Sequence, residues 1–436
     1  MVLSAIWLPA TISCGVDLNA LYHLAMLHFV KQNFRWIGGG FLLTYCSSFG
    51  QTYFISGSIA EWQTMFDLTH GQIGRLYMFA TLASAMALPF VGRLIDVWPV
   101  RRMVVVFMPV LAIASLLAAS AWTVAILFVG IFLLRLAGQG MMTHIALTTT
   151  GRSFVAARGR AVSLVVLGHQ GGEATLPIAF SLVAATYGFE YGWYASAAVL
   201  LVIGLPLAVW AFSIPREASA QFADDVALRG DVRQWTRREV ARDPVFWVLL
   251  TCVLAPAFIG TTIFYHQDYL TALQGWPPTL FASSLILMAA TTVVVALVFG
   301  QLIDRFGVVR LLPFFLLPLA LACLVLSQAG APWTLFVAIV LIGMSYGISS
   351  TLLGALWPEI YGTQHLGAVR SMIVSAMVLS TALGPGVTGT LIDHGIALPR
   401  QMVVMAGYCF VATIALQFVA RALNRRQGAT ALDIAS

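Results

Sequence analysis

The stretch Gly92-Arg-Leu-Ile-Asp96-Val-Trp-Pro-Val-Arg101-Arg102 recurs later as Gly300-Gln-Leu-Ile-Asp304-Arg-Phe-Gly-Val-Val-Arg310. Each copy follows a long apolar run ending in glycine and precedes another within a few residues. Positions 92, 96 and 102 map onto 300, 304 and 310, a constant offset of 208 residues that also carries Gly159 to Gly367 and Pro177 to Pro385. A fixed-period match held by turn glycines, a proline and charges is an internal repeat, not a coincidence of composition. The chain therefore reads as two copies of one unit.

Composition says what that unit is. The 436 residues are 60% hydrophobic and 9% charged, with a mean hydropathy of +0.90. A soluble domain carries about 25% charged residues, so the deficit points to an integral membrane protein. Apolar runs of about 20 residues, each able to cross about 30 Å of hydrocarbon as a helix, fall at 36–59, 72–92, 103–121, 123–149, 160–187 and 192–212, then at 245–268, 278–300, 309–328, 332–356, 367–392 and 400–422. The expected fold is an all-α membrane protein, with 12 transmembrane helices in two pseudo-symmetric six-helix halves. Its expected divisions are an N-terminal tail over 1–34 (Met26 being an alternative start), a first half over 35–212, a cytoplasmic linker over 213–244, a second half over 245–424 and a tail over 425–436. Charges crowd the linker, so it should be solvated and carry one amphipathic helix.

The formal charge of +6 is not a nucleic-acid signal, because the positive residues sit in short loops that orient the helices. With the N-terminus inside, 20 of the 23 Lys and Arg residues lie on the inner face; Arg75 and Arg400 fall outside, and Arg135 stays in the bilayer. Both termini are therefore expected in the cytoplasm, and the expected location is a bacterial inner (plasma) membrane, as a monomer. Cys14, Cys46, Cys252, Cys323 and Cys409 show no metal-ligand spacing and read as small core residues; no metal or cofactor is implied.

Two six-span halves, a charged central linker and the same loop in both halves resemble the major facilitator superfamily of secondary transporters. Gly92, Asp96, Arg101 and Arg102 match the family's loop between spans 2 and 3, with Pro99 where the family usually has Gly. Gly300, Asp304, Arg305, Gly307 and Arg310 match it in the second half, without the second basic residue. Arg135-Leu-Ala-Gly138-Gln-Gly140 is similar to the family's Arg-x-x-Gly-x-Gly variant in span 4. The resemblance covers about residues 35 to 425 and implies rocking of the two halves. It also implies that Asp96, Arg101 and Arg102, with Asp304, Arg305 and Arg310, latch the cytoplasmic side. Arg158-Gly159, Gly192-Trp193, Trp357-Pro-Glu359 and Gly384-Pro385 look like the monocarboxylate and organic-anion porter branch.

Polar groups at membrane depth are costly and usually face a cavity. Arg135 stands about 15 residues before the inner end of span 4 and Glu173 about 14 after the inner start of span 5, or about 21–23 Å at 1.5 Å per residue. The matched depth predicts an Arg135–Glu173 pair, either structural or proton-coupling. At the 208 offset Arg135 corresponds to Gly343, Glu173 to Thr381 and His169 to Met377, so the charged chemistry sits in the first half alone. His169 and Glu173 share a helix face, four residues apart. Spans 1, 4, 7 and 10 line the cavity in the family, which makes Gln51, Tyr53, Tyr265, His266, Gln267 and Tyr346 candidate contacts, with Trp357 as a stacking surface. Span 8 carries no Arg or Lys where several anion porters have one, which argues for a flatter or only singly charged solute over a small dicarboxylate.

The expected function is proton-coupled secondary transport of a small organic acid or polar-aromatic metabolite. Drug efflux is disfavoured, because the family's efflux motif wants Gly-Pro in span 5 and here Leu176 precedes Pro177. A transporter-like sensor without net transport is the remaining rival. An enzyme is not expected, since no zinc spacing or Ser/Lys nucleophile pair appears at depth.

Overall fold

A computed structural model describes residues 18–154, 158–214, 234–362 and 365–435. Every regular element among them is helical. Backbone in hydrocarbon has no water to bond, and a helix satisfies its own N–H and C=O groups. The first half comprises α1 (Leu18–Cys46), α2 (Thr52–Ile55), α3 (Ile59–Phe66), α4 (His70–Gly92), α5 (Leu94–Val97), α6 (Val100–Ala119), α7 (Val124–Leu133), α8 (Thr143–Ser153), α9 (Arg158–Tyr187), α10 (Phe189–Ala198) and α11 (Leu205–Ala211). Two π-helical stretches, Leu134–Met142 and Val199–Gly204, join α7 to α8 and α10 to α11. After α12 (Arg237–Arg242), the second half holds α13 (Pro244–Tyr265), α14 (Gln267–Gln274), α15 (Pro278–Phe306), α16 (Val308–Leu311), α17 (Leu317–Ser327), α18 (Pro332–Tyr361), α19 (Leu366–Asp393) and α20 (Leu398–Ala435).

Ten of the described helical segments are long and apolar enough to cross a membrane. The other two long helices are α1, of 29 residues, and α9, of 30. Polarity explains the exclusion of α9, whose middle reads Gly168-His-Gln-Gly-Gly-Glu173. α1 and α9 pack side by side, Gly168 lying against the Phe41 carbonyl.

Two expected spans are corrected. Span 1 is not a continuous helix over 36–59: α1 begins at Leu18, and the helix breaks at a 3-10 turn, Ser47–Gly50, with Gln51 extended (φ −84°, ψ 154°). Span 7 stops at Tyr265 rather than 268, because His266 forms a turn before α14. Most of the expected linker, 215–233, lies outside the described residues, as does Cys14. Its C-terminal end is ordered by a capping box at the start of α12, where the Glu239 amide donates to Thr236 Oγ1 and Glu239 Oε2 accepts from the Thr236 amide.

The halves meet along α4 with α19 and α9 with α15. Lipid tails are as apolar as leucine, so nothing hydrophobic drives helices together there, and close approach depends on small residues. At Gly74 a β-carbon would overlap the Pro385 carbonyl, so only glycine lets α4 and α19 touch backbone to backbone. This contact lies at the end opposite the Gly92–Arg102 and Gly300–Arg310 loops. Asp393 of α19 reinforces it, accepting from Thr69 Oγ1 at 2.6 Å and the Gly71 amide at 2.8 Å, while Arg75 donates to Thr390 Oγ1 at 3.1 Å.

Candidate functional site

The break in span 1 exists because two helices leave it no side-chain room. A β-carbon on Gly50 would overlap the Leu134 carbonyl and lie 2.7 Å from Gly138 Cα, in the π-helical stretch of span 4. π-helical stretches add a residue to a turn and recur at functional sites. On the other flank, Gly172 of α9 sits on the Tyr45 carbonyl and the Ser48 hydroxyl. The span-1 break is thus wedged between spans 4 and 5 at the depth where the charges lie.

That wedge overturns the expected Arg135–Glu173 pair. Arg135, 2% exposed, donates through Nη1 to the Gly50 carbonyl at 3.2 Å and to Thr52 Oγ1 at 3.3 Å. Its guanidinium lies 5.5 Å from the Tyr77 ring centroid, and Tyr77 in turn shares a 2.7 Å hydrogen bond with Thr52. A free backbone carbonyl at a helix break needs a donor, and Arg135 supplies it. Glu173, 4% exposed, forms no hydrogen bond or ion pair among the described residues. Equal depth along two sequential helices did not make them neighbours, because a third helix lies between.

Glu173 instead faces a cavity of about 680 Å³ between the halves. Gln51, Tyr53, His169 and Tyr346 line it as expected, and so does Trp357. Repeat mates face each other across it: Tyr53 with Thr261, His169 with Met377 and Glu173 with Thr381, each 208 residues apart. The aromatic roof runs from His169 to Tyr53 (ring centroids 6.1 Å), to Phe264 (6.5 Å) and to Tyr346 (6.1 Å). Gln139, Gln170, Thr261, Thr292, Ser349 and Ser350 also line it and were not singled out from the sequence. Gln139 was legible between the two glycines of the span-4 motif; the serines and threonines carry no sequence signal at depth.

Arg135, Tyr265, His266 and Gln267 are not part of that lining. Tyr265, the last residue of α13, and His266 and Gln267 at the turn that follows are buried away from that lining. Tyr265 lies 4.8 Å from the Tyr77 ring, and His266 Nε2 shares a 2.8 Å hydrogen bond with Thr388 Oγ1. From mid-depth the cavity extends along α18 as far as Trp357 and along α19 as far as Ile373, towards the loop end; the α4–α19 contact closes it on the other side. Among the described residues no group of His, Cys, Asp and Glu is arranged to hold a metal ion.

Comparison with known proteins places this fold. A sequence profile described as Major Facilitator Superfamily matches residues 41–385, and again 267–433. The chain belongs to the major facilitator superfamily. The crystal structure of the nucleoside transporter NupG superposes with a TM-score of 0.66 at 15% identity, over 89% of this chain and 98% of that one. A bacterial homolog of the human lysosomal transporter Spinster, in its inward-facing and unoccupied conformation, gives 0.67 at 15% identity, over 88% and 96%. At that identity the likeness establishes the fold and nothing about cargo. No curated protein matches by sequence. This facilitator is a multi-pass membrane transporter, not an enzyme.

At the loop end of the facilitator, Gly92 is buried near His144, and α5 follows at once. Arg101 is exposed, and Arg102 lies 4.3 Å over the Trp98 ring. Arg152, from the end of span 4, donates to the Ile95 carbonyl at 3.3 Å. In the repeat, Gly300 is half-buried, Arg305 lies 5.3 Å from the Phe306 ring, and Arg310 is exposed beside the Gly307 turn (φ +80°). The side chains of Asp96 and Asp304 lie outside the described residues.

Proposed function

We propose that this facilitator is a proton-coupled secondary transporter of a small organic solute with a polar and an aromatic face. One observation carries the reading: a buried carboxylate with no partner among the described residues, Glu173, on the wall of the cavity between the halves. An isolated carboxylate in a low-dielectric site is costly and is relieved by taking a proton. His169, one turn before Glu173 on the same helix face, is the second proton-bearing group on the wall. Cargo contacts come from Gln51, Gln139, Tyr53, Phe264 and Tyr346. Supporting the aromatic over the organic-acid alternative, the described lining of the cavity holds no Lys or Arg, and Arg135, the cation a carboxylate would seek, is engaged with Gly50 and Thr52. The monocarboxylate-like branch therefore gains nothing from the geometry.

The positive loops orient both termini to the cytoplasm, so the cavity, leading towards the loop end, is inward-open. In the opposite state we assign closure of that end to the loop residues Gly92, Asp96, Arg101 and Arg102, with Gly300, Asp304, Arg305 and Arg310. The working unit is proposed to be a monomer in a bacterial inner membrane.

The test is solute accumulation in proteoliposomes under an imposed pH gradient. Wild-type protein is expected to accumulate its solute, and Glu173→Gln to retain exchange while losing accumulation. Uphill accumulation by the mutant refutes the coupling role. Saturable binding with no flux in any gradient would make the protein a sensor.

A further inference from the structure

We infer that the cargo is an organic cation, an amine on an aromatic or apolar body, which occupies the place at Glu173 that a proton otherwise takes. The inference rests on the transport reading above and narrows it.

Electrostatics of the cavity wall carry the argument. Its described lining holds one carboxylate, Glu173, and no Lys or Arg. A buried charge is tolerated when something of opposite sign reaches it, and among the described residues none forms an ion pair with Glu173. On its own helix, His169 forms no ion pair with it and packs edge-on against Tyr53 instead. From α1, Tyr45 spends its hydroxyl on Thr175, and from α2 Tyr53 donates to Ser48. α15 brings Thr292 to the wall, and α18 brings Tyr346 from across the cavity. Arg152, at the far end of α8, is held by the Ile95 carbonyl; Glu190 of α10 lies near the opposite end of the span. Behind the span-1 break, Arg135 is held by Gly50 and Thr52. Apart from a proton, the counter-ion of Glu173 then arrives with the cargo.

The rest of the wall fits such a guest. Aromatic faces attract cations through their quadrupoles, and Tyr53, Phe264, Tyr346 and Trp357 all border the cavity. A volume of about 680 Å³ holds a solute of drug-like size. A carboxylate guest would meet Glu173 with no cation in the described lining to offset it, and a neutral one would leave Glu173 protonated, its binding uncoupled from the proton. Proton and cation then exclude each other: when the amine binds, the Glu173 carboxyl releases its proton to water, and when the proton returns the amine leaves. The coupling is an exchange.

The experiment uses the full-length protein in lipid nanodiscs and three probes on one scaffold: (2-naphthylmethyl)trimethylammonium, 2-naphthalenemethanol and 2-naphthoate. Calorimetric titration at about pH 8 is expected to favour the cation by about tenfold or more, with weaker binding at about pH 6 as protons compete. Glu173→Gln should erase both the preference and the pH dependence, and Glu173→Asp, which keeps the charge, should retain them. Tighter binding of the naphthoate or the alcohol, cation binding indifferent to Glu173→Gln, or no cation binding overturns the inference. Flux in proteoliposomes separates it from the transport reading. Proton-linked movement of the naphthoate would leave a transporter with another cargo, whereas Glu173-dependent cation binding without flux would leave the ligand class and remove transport.

Discussion

Asp393 of the second half caps the first turn of α4 in the first half, its Oδ2 accepting from the Gly71 amide at 2.8 Å. The same oxygen accepts from Thr69 Oγ1, the hydroxyl that also caps Gln72. A helix N-terminus carries partial positive charge, so an anion there is favoured. The bond exists only while the halves touch at this end, and it therefore biases the equilibrium towards the state in which that end is shut. At the 208 offset the mate of Asp393 is Ala185, so the symmetry-related α9–α15 contact lacks this latch.

Asp393→Asn keeps the shape and loses the charge. The population open at the Asp393 end should rise by roughly threefold to tenfold. Alkylation of a cysteine introduced at Ser349 in the cavity, by an impermeant reagent applied from that end, reads it. An unchanged rate would mean that the packing of α4 on α19 holds the end closed without the cap.

Arg135 stabilises the span-1 break rather than a carboxylate. Arg135→Met would leave the Gly50 carbonyl without its donor, at about 1–3 kcal/mol. The expected signature is local: faster amide exchange over 47–53, with α13 to α20 unaffected. Arg135→Lys keeps the charge but lacks the planar fork that spans Gly50, Thr52 and the Tyr77 face, so it should restore little protection.

Asp243 ties the start of α13 to two other helices. Arg426 donates to it from Nη1 at 2.8 Å and Nη2 at 2.9 Å, Tyr361 OH at 3.1 Å and the Val245 amide at 3.1 Å. Burial pushes this carboxyl up, but the Arg426 pair, the Val245 amide and the Tyr361 hydroxyl together hold it below the usual carboxylate range. A depressed value means that the contribution is complete above the unfolded value of about 3.9 and fades as pH falls through the folded one. Asp243→Asn should lower the melting temperature at neutral pH, by about 1–3 kcal/mol of stability given the partly exposed Arg426. Below about pH 4 the wild type should lose this advantage over the mutant. A constant difference across that range would show that the pair contributes nothing through charge.

The fold was legible because lipid imposes it: spans need length and apolarity, and Gly92–Arg102 with Gly300–Arg310 marks the repeat. The wall residues Gln51, Tyr53, His169, Glu173 and Tyr346 were legible because polar groups at depth stand out against an apolar background. What could not be read was lateral order. Depth follows from counting along a helix, but which helix lies between Arg135 and Glu173 depends on backbone contacts at Gly50, Gly138 and Gly172 that no periodicity encodes. The π-helical stretch Leu134–Met142 was invisible for the same reason. Tyr265, His266 and Gln267 misled because the α13 lining of the cavity ends at Phe264: Tyr265 packs on Tyr77, and the turn at His266 follows at once.

Gly260 and Tyr346 make the sharpest test of the cavity's shape. A β-carbon on Gly260 would collide with the Tyr346 hydroxyl, so the bare backbone of α13 is what lets that phenol lie at the cavity roof beside Phe264. Gly260→Ala should keep the fold, because helix propensity favours alanine by about 1 kcal/mol, while pushing Tyr346 into the cavity and weakening solute binding by about tenfold or more. Tyr346→Phe removes the colliding oxygen. The double variant should therefore regain most of the affinity lost in Gly260→Ala, a coupling that two independent defects would not produce. Melting temperature and solute titration on all four proteins decide it: additive losses would mean that Tyr346 contributes nothing through its position over Gly260.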